Sequence, residues 1–364
     1  MSKWEMVCLK DVCEILDNLR VPVTSSNRKK GIYPYYGANG IQDYVDSYIF
    51  DDELVLLAED GGHFGSKEKP IAYRVSGKCW VNNHAHVLKP KTNLDVNYLC
   101  YSIMYYDVLP LITGTTRAKL NQAAVHKMII PLPPLPIQQK IADTLDHISN
   151  LIKKRKEQIK KLDLLVKSRF VGMFGDPVTN PMGWEKAEFG KTCDIITGNT
   201  PSRTQPEYYG DFIEWIKTDN IKATESRLTT ALEGLSEQGF KKCRYVEANN
   251  ILMTCIAGSL NSIGNVAITD RRVAFNQQIN ALIPKKYNHI FLYVLLKMMK
   301  SELYESVNMM LKGILTKGRL FEINAIVPPL ALQTQFAEFV QETDKIKFVM
   351  QKGLEKMEIF RKKP

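Results

Sequence analysis

The segment W-E-M-V-C-L-K-D-V-C-E-I-L beginning at Trp4 returns at Trp184 as W-E-K-A-E-F-G-K-T-C-D-I-I, an offset of 180 residues. Two further matches follow in the same order. N-N-H-A-H-V-L-K-P, ending at Pro90, pairs with N-Q-Q-I-N-A-L-I-P, ending at Pro284, at an offset of 194. I-I-P-L-P-P-L-P-I-Q-Q-K-I-A (Ile129 to Ala142) pairs with A-I-V-P-P-L-A-L-Q-T-Q-F-A (Ala325 to Ala337). There Pro133, Pro134, Leu135 and Gln138 meet Pro328, Pro329, Leu330 and Gln333 at an offset of 195. Ordered self-similarity of this kind means that one structural plan is built twice. The drift from 180 to 195 places insertions in the second copy.

Each copy reads as a mixed globular region, a proline-rich exit and a long helix. The first helix is expected from Pro136 to about Phe170, with proline in the first turn, where its missing N–H has no intrahelical partner. Steps of four and three give Ile141, Leu145, Ile148, Ile152, Arg155, Ile159, Leu162, Val166 and Arg169, of which seven of nine are apolar. That is a heptad-like seam, roughly 50 Å long at about 1.5 Å per residue. The second helix, from about Leu332 to Arg361, has a looser seam of Phe336, Phe339, Ile346, Met350, Met357 and Phe360, interrupted at Thr343 and Gly353. Two seams of similar length predict an antiparallel pair acting as a rigid spacer.

Between the helices, short β-branched and aromatic runs such as Asp43 to Phe50, Glu53 to Ala58 and Ile251 to Cys255 are separated by Gly, Asn and Pro. The fold class is therefore α+β: two globular domains alternating with two long helices. The boundaries fall at 1–135 (first domain), 136–175 (first spacer helix), 176–183 (linker), 184–331 (second domain) and 332–364 (second spacer helix).

Composition narrows the function. Of 364 residues, 45% are hydrophobic, enough for proper cores, and no run of about 18 apolar residues suggests a transmembrane helix. The first residues carry acids and lack the apolar stretch of a signal peptide, so the chain is expected in the cytoplasm, its seven cysteines reduced. The net charge of +10 favours polyanionic partners, nucleic acid foremost.

Catalytic signatures are missing. Both Pro-Pro pairs follow Leu132 and Val327 rather than Asn, and Asn180-Pro181 is followed by Met182, so the Asn-Pro-Pro-aromatic signature of amino methyltransferases is absent. No acid-x-lysine element of metal-dependent nucleases occurs, and Gly61-Gly62-His63-Phe64-Gly65-Ser66-Lys67 has the wrong spacing for a phosphate loop. His84 and His86 alternate on an expected strand and so share a face, and His63 could join them. No fourth ligand is evident, and no metal is expected.

Several polar loops suit DNA, where Lys and Arg neutralise phosphates and Arg, Asn and Gln reach base edges. In the first copy T-G-T-T-R-A-K-L-N-Q (Thr113 to Gln122) carries Arg117, Lys119 and Asn121. In the second, L-K-G-I-L-T-K-G-R-L (Leu311 to Leu320) carries Lys312, Thr316 and Lys317 at the equivalent place. Gly- and Asn-rich loops add Tyr36 and Asn39, then Thr200, Ser202 and Arg203. The second repeat match contributes Asn83 and His84, then Asn276, Gln277 and Gln278, and His63 completes the candidate set. A plain solvated loop or turn would use the same residue types. The first long helix is also strongly basic, with Lys153, Lys154, Arg155, Lys156, Lys160, Lys161, Lys167 and Arg169.

With the exit P-L-P-P-L-P-I-Q-Q-K-I-A at 131–142, its partner V-P-P-L-A-L-Q-T-Q-F-A at 327–337, and the link M-F-G-D-P at 173–177 followed by N-P-M-G-W at 180–184, the chain resembles the specificity subunit of type I restriction–modification systems. Tyr35 to Gly40, Asp60-Gly61-Gly62 and Thr200-Pro201-Ser202 are similar to that family too. The resemblance implies two target recognition domains, each reading half of a bipartite double-stranded DNA site. Two methyltransferase subunits would dock on the helices, and restriction subunits would join them. No cofactor is implied for this chain; S-adenosylmethionine, ATP and magnesium belong to the partners, and no membrane is involved. A half-site separation of about one DNA turn, roughly 34–36 Å, suits the helices. The competing reading is a helical protein–protein assembly scaffold without DNA specificity.

Overall fold

The computed structural model describes residues 4–66, 68–114, 118–307 and 313–361. The chain forms two compact units, one of residues 1–157 with 352–364 and one of residues 158–351. The two long helices, Leu135–Phe174 and Leu330–Arg361, each contribute one stretch to each unit.

In the first unit a six-stranded sheet runs in the spatial order Cys13–Ile15, Ala85–Pro90, Phe50–Ala58, Ala72–Val81, Lys30–Gly37, Gly40–Val45. The sheet curls on itself: Tyr73, near the start of its strand, donates its hydroxyl to the carbonyl of Gly37, which ends the strand paired with the far end of Tyr73's own strand. The curl encloses Leu54, Leu56, Val75, Cys79, Val81 and Val87. The other sheet face packs Val55, Leu57 and Leu88 against the helix Val96–Ile103 and against Ala142 of the first long helix. The second unit places most of its strands in two four-stranded sheets, Cys193–Thr197, Ile279–Pro284, Ile251–Thr254, Val266–Ile268 and Gly234–Leu235, Tyr209–Ile216, Val273–Phe275, Tyr245–Val246.

The duplication extends to individual strand pairings. Met6 faces Pro131 and Lys186 faces Ile326; Cys13 faces Pro90 and Cys193 faces Pro284. Tyr35 lies parallel to Trp80, and Trp215 to Ala274. Each pair moves by the offsets of 180, 194 and 195 seen in the sequence.

Gln138 and Gln333, which meet in the proline-exit repeat, show why that repeat persists. Both are wholly buried. Gln138 accepts from the Asp95 amide (2.8 Å) and donates to the carbonyls of Asn93 (2.9 Å) and Pro133 (2.8 Å). Gln333 accepts from the Asn288 amide (2.9 Å) and donates to the carbonyls of Lys286 (3.2 Å) and Pro328 (2.8 Å). Asp95 and Asn288 in turn cap the helices Val96–Ile103 and His289–Met298. One amide thus bolts each long helix to the loop before its domain's internal helix.

The long helices pair antiparallel. In the second unit Asp163 meets Lys347 (2.6 Å), the Arg169 guanidinium lies 5.7 Å from the Phe339 ring centre, and Phe170 packs edge-on against Phe336 at 5.5 Å. In the first unit Lys156 meets Glu358 (2.7 Å). The expected seam from Ile141 to Val166 is sheltered, but it then steps to Phe170 and Phe174, leaving Arg169 exposed. The seam of the second helix differs more. It follows Phe336, Val340, Thr343, Lys347, Met350, Leu354 and Met357, a regular four-three spacing. Thr343 fits because its hydroxyl donates to the Phe339 carbonyl of its own helix (2.9 Å), and Lys347 because Asp163 faces it. Ile346 and Phe360, expected in the seam, are 52% and 58% exposed.

Among the described residues no helix is long and apolar enough to cross a membrane.

Candidate nucleic-acid interface

In the first unit the curl of the sheet brings separate loops together. Asn39 lies at the turn into Gly40, whose φ of +115° favours glycine, and donates its side-chain amide to the Gly61 carbonyl (3.0 Å). Asp60 accepts from or pairs with the His84 ring (Nδ1 to Oδ1, 2.7 Å) and makes a β-bridge with Lys119. Asn39, His63, Asn83, His84 and Lys119 therefore sit on adjoining loops. In the second unit, Ile256 and Ala257 pair with Ile314 and Gly313, the counterpart of the Asp60–Lys119 bridge. There Thr200 donates its hydroxyl to Gln277, and Ser202 meets Thr204 at 2.8 Å.

Beneath the first cluster lies a buried ionic network. Arg20 meets Glu59 (2.6 Å) and Asp17 (3.4 Å), Lys119 meets Glu59 (2.8 Å), and His86 meets Asp17 through Nδ1 (2.5 Å) and the Leu120 carbonyl through Nε2 (2.7 Å). Burial opposes ionisation of Glu59, but hydrogen bonds from Lys119 and Arg20 outweigh it and hold the carboxyl below its usual range. Asp17, Glu59 and His86 offer ligand atoms within 4.8 Å of one another, a spacing a metal ion would accept. Arg20 and Lys119 already supply the cations, however, and His86 Nε2 faces a carbonyl that can only accept. The network holds the 119–120 segment against the sheet end.

Several candidates are placed otherwise than the sequence suggested. His84 lies in the turn before the strand Ala85–Pro90, while His86 lies within it and is buried, so the two do not share a face. Asn121 and Thr316 are equivalent helix caps: their side-chain oxygens accept from the amides of Ala124 (2.9 Å) and Arg319 (3.2 Å). Short polar side chains serve caps and base edges equally well, and sequence cannot separate the two uses. Lys317, next to that cap, is exposed. Tyr36 is half-buried against Tyr73, with ring centres 5.8 Å apart, and burial pushes its hydroxyl above the usual range. Asn276 is buried, and Gln277 beside it is exposed. Arg203 is bound to Glu233 and lies 4.5 Å and 5.0 Å from the Tyr209 and Trp215 ring centres. Arg117 and Lys312 lie outside the described residues. Asn82, Glu59 and Glu233 were not singled out in the sequence, and Asp60 was read only as part of the family-like Asp60-Gly61-Gly62. Asn82 had a signal in its match to Asn276 at offset 194.

Two curled or split sheets on one repeated plan, two antiparallel helices and polar loop clusters define a duplicated two-domain chain on a helical frame. The sequence matches the family described as the type I restriction modification DNA specificity domain, over residues 1–161 and 181–357. It is 41% identical over 150 residues to a putative type I restriction enzyme specificity subunit of Haemophilus influenzae, covering 41% of this chain and 38% of that protein. It is 23% identical over 405 residues to a putative type I restriction enzyme specificity subunit of Methanocaldococcus jannaschii, covering 99% of this chain and 91% of that one. The structure is similar to a type I restriction–modification S subunit from M. genitalium with a TM-score of 0.62 at 14% identity, covering 99% and 94% of the two chains. The alignments with two Haemophilus relatives span only 38% and 25% of those proteins. The chain belongs to the type I restriction–modification specificity-subunit family.

Proposed function

We propose that this chain is the DNA-reading subunit of a type I restriction–modification complex and that each globular domain reads one half of a bipartite, asymmetric target. The observation that carries the reading is a duplicated frame whose strand pairings repeat while the polar loop residues it presents differ. Asn39, His84 and Lys119 on one side and Gln277, Thr200 and Arg203 on the other are different donor and acceptor sets, so the half-sites differ. The domains extend over 1–135 and 184–331, with the helices between and after them holding their separation. Phosphate contacts from Lys and Arg supply affinity, and base contacts supply sequence choice.

The helices dock two methyltransferase subunits, and restriction subunits complete the complex. S-adenosylmethionine, ATP and magnesium chemistry resides in those partners and not in this chain. Supporting the docking role, Ile346 and Val349, three residues apart and so neighbours on one helix face, are 52% and 68% exposed.

Methylation mapping of a genome carrying this chain with its methylating partner tests the reading. The expected result is one gapped motif with two different half-sites. Identical half-sites, a continuous motif or no motif would overturn it.

A further inference from the structure

Three hydrogen bonds build the same turn in both units. In the first, the Asn82 amide donates to the Tyr36 carbonyl (3.0 Å), the Asn82 side-chain oxygen accepts from the His84 amide (2.8 Å), and the His84 carbonyl accepts from the Glu59 amide (2.9 Å). In the second, the Asn276 amide donates to the Ile216 carbonyl (3.1 Å), the Asn276 side-chain oxygen accepts from the Gln278 amide (3.1 Å), and the Gln278 carbonyl accepts from the Cys255 amide (2.8 Å). Both asparagines are buried, at 3% and 6% exposure. Each closes an asparagine turn, tied on one side to a neighbouring strand and on the other to a strand end. The next residue, Asn83 or Gln277, is the exposed tip.

The frame is the same and the tips differ: Asn83–His84 in one unit, Gln277–Gln278 in the other. The tip side chains are themselves held. His84 Nδ1 is 2.7 Å from Asp60, whose side chain is only 13% exposed, and among the described residues Nε2 has no protein partner. Gln277 accepts from the Thr200 hydroxyl, and Gln278 accepts from the Asn276 side-chain amide (3.1 Å). With their oxygens engaged, the side-chain N–H groups of both glutamines have no acceptor among the described residues. A turn that merely closed the chain would need no residues to orient its tip.

We propose that these turns are the base-reading elements. Asn83–His84 reads one half-site and Gln277–Gln278 the other, and Asn82, Asp60, Asn276 and Thr200 are positioning residues. The donors of the second tip match acceptor edges of the major groove, guanine N7 and O6 or thymine O4. This assignment rests on the DNA-reading role proposed above.

The test is motif mapping with the full chain co-expressed with its methylating partner, comparing wild type with Gln277→Ala, His84→Ala and Thr200→Val. Gln277→Ala is expected to cost about tenfold or more in discrimination at one position of one half-site, in the range of a lost specific base contact, with the other half-site unchanged. His84→Ala is expected to do the reverse. Thr200→Val, which leaves the reading side chain in place, relaxes the position that Gln277 reads. The melting temperature of Gln277→Ala stays at the wild-type value, because Gln277 is exposed. A wild-type motif that all three variants keep intact would overturn the assignment while leaving the DNA-reading role standing. No motif for the wild type would overturn that role itself.

Discussion

Replacing Gln138 by alanine tests the bolt between helix and domain. The substitution strands the Asp95 amide and the carbonyls of Asn93 and Pro133, all now paired at 2.8–2.9 Å around a wholly buried side chain. A net hydrogen bond contributes about 1 kcal/mol, and a stranded buried partner costs roughly 1–3 kcal/mol. Partial relaxation around the small side chain brings the expected loss to about 3–5 kcal/mol, a large part of a domain's total stability. Chemical denaturation followed by far-UV circular dichroism measures it. Gln138→Glu sharpens the argument, because it keeps the acceptor for Asp95 but turns a carboxylate oxygen toward two carbonyls. At neutral pH it should be at least as destabilising as alanine. Its folded-state pKa would be raised above the unfolded value, so the penalty is full above the folded pKa and lifts as pH falls through it. A loss below 1 kcal/mol for alanine, or no recovery of the glutamate variant in acid, would refute the reasoning.

Other expectations follow from single contacts. Glu59→Gln removes the charge shared by Arg20 and Lys119 and should cost about 2 kcal/mol, the scale of hydrogen bonds to charged groups. Because the Glu59 pKa is depressed, its contribution is present above the unfolded carboxylate value and is lost as pH falls through the folded one, so wild type and variant should converge in acid denaturation. Asn121→Ala and Thr316→Ala should each cost about 1 kcal/mol for a lost helix cap and leave the methylated motif unchanged; a changed motif would return these residues to the reading surface. Ile346→Glu and Val349→Glu, at exposed helix positions, should shift stability by only about 0.5 kcal/mol yet reduce co-purification of a methyltransferase subunit; undiminished recovery would remove that face from the docking surface.

The repeat, the long helices and their antiparallel pairing were readable from sequence because each rests on local or periodic signals. Every strand pairing compared across the copies then carried the sequence offsets. The C-terminal seam was misread where polar residues stand in it. Thr343 is accommodated by bonding its own backbone, and Lys347 by Asp163 on a helix 184 positions away in sequence. The Asp163 partner does not announce itself locally.

Sequence by itself determined that one plan is built twice on a helical frame, because apolar periodicity and proline placement act over a few residues. Only the tertiary structure decided what each polar loop residue does. Asn, Thr and Gln are equally suited to cap a helix, close a turn or face a base edge, and the choice depends on which amide or carboxylate the fold brings within 3 Å. The fold gave Asn121 and Thr316 to helix ends, Asn82 and Asn276 to buried turns, and left Asn83 and Gln277 facing outward.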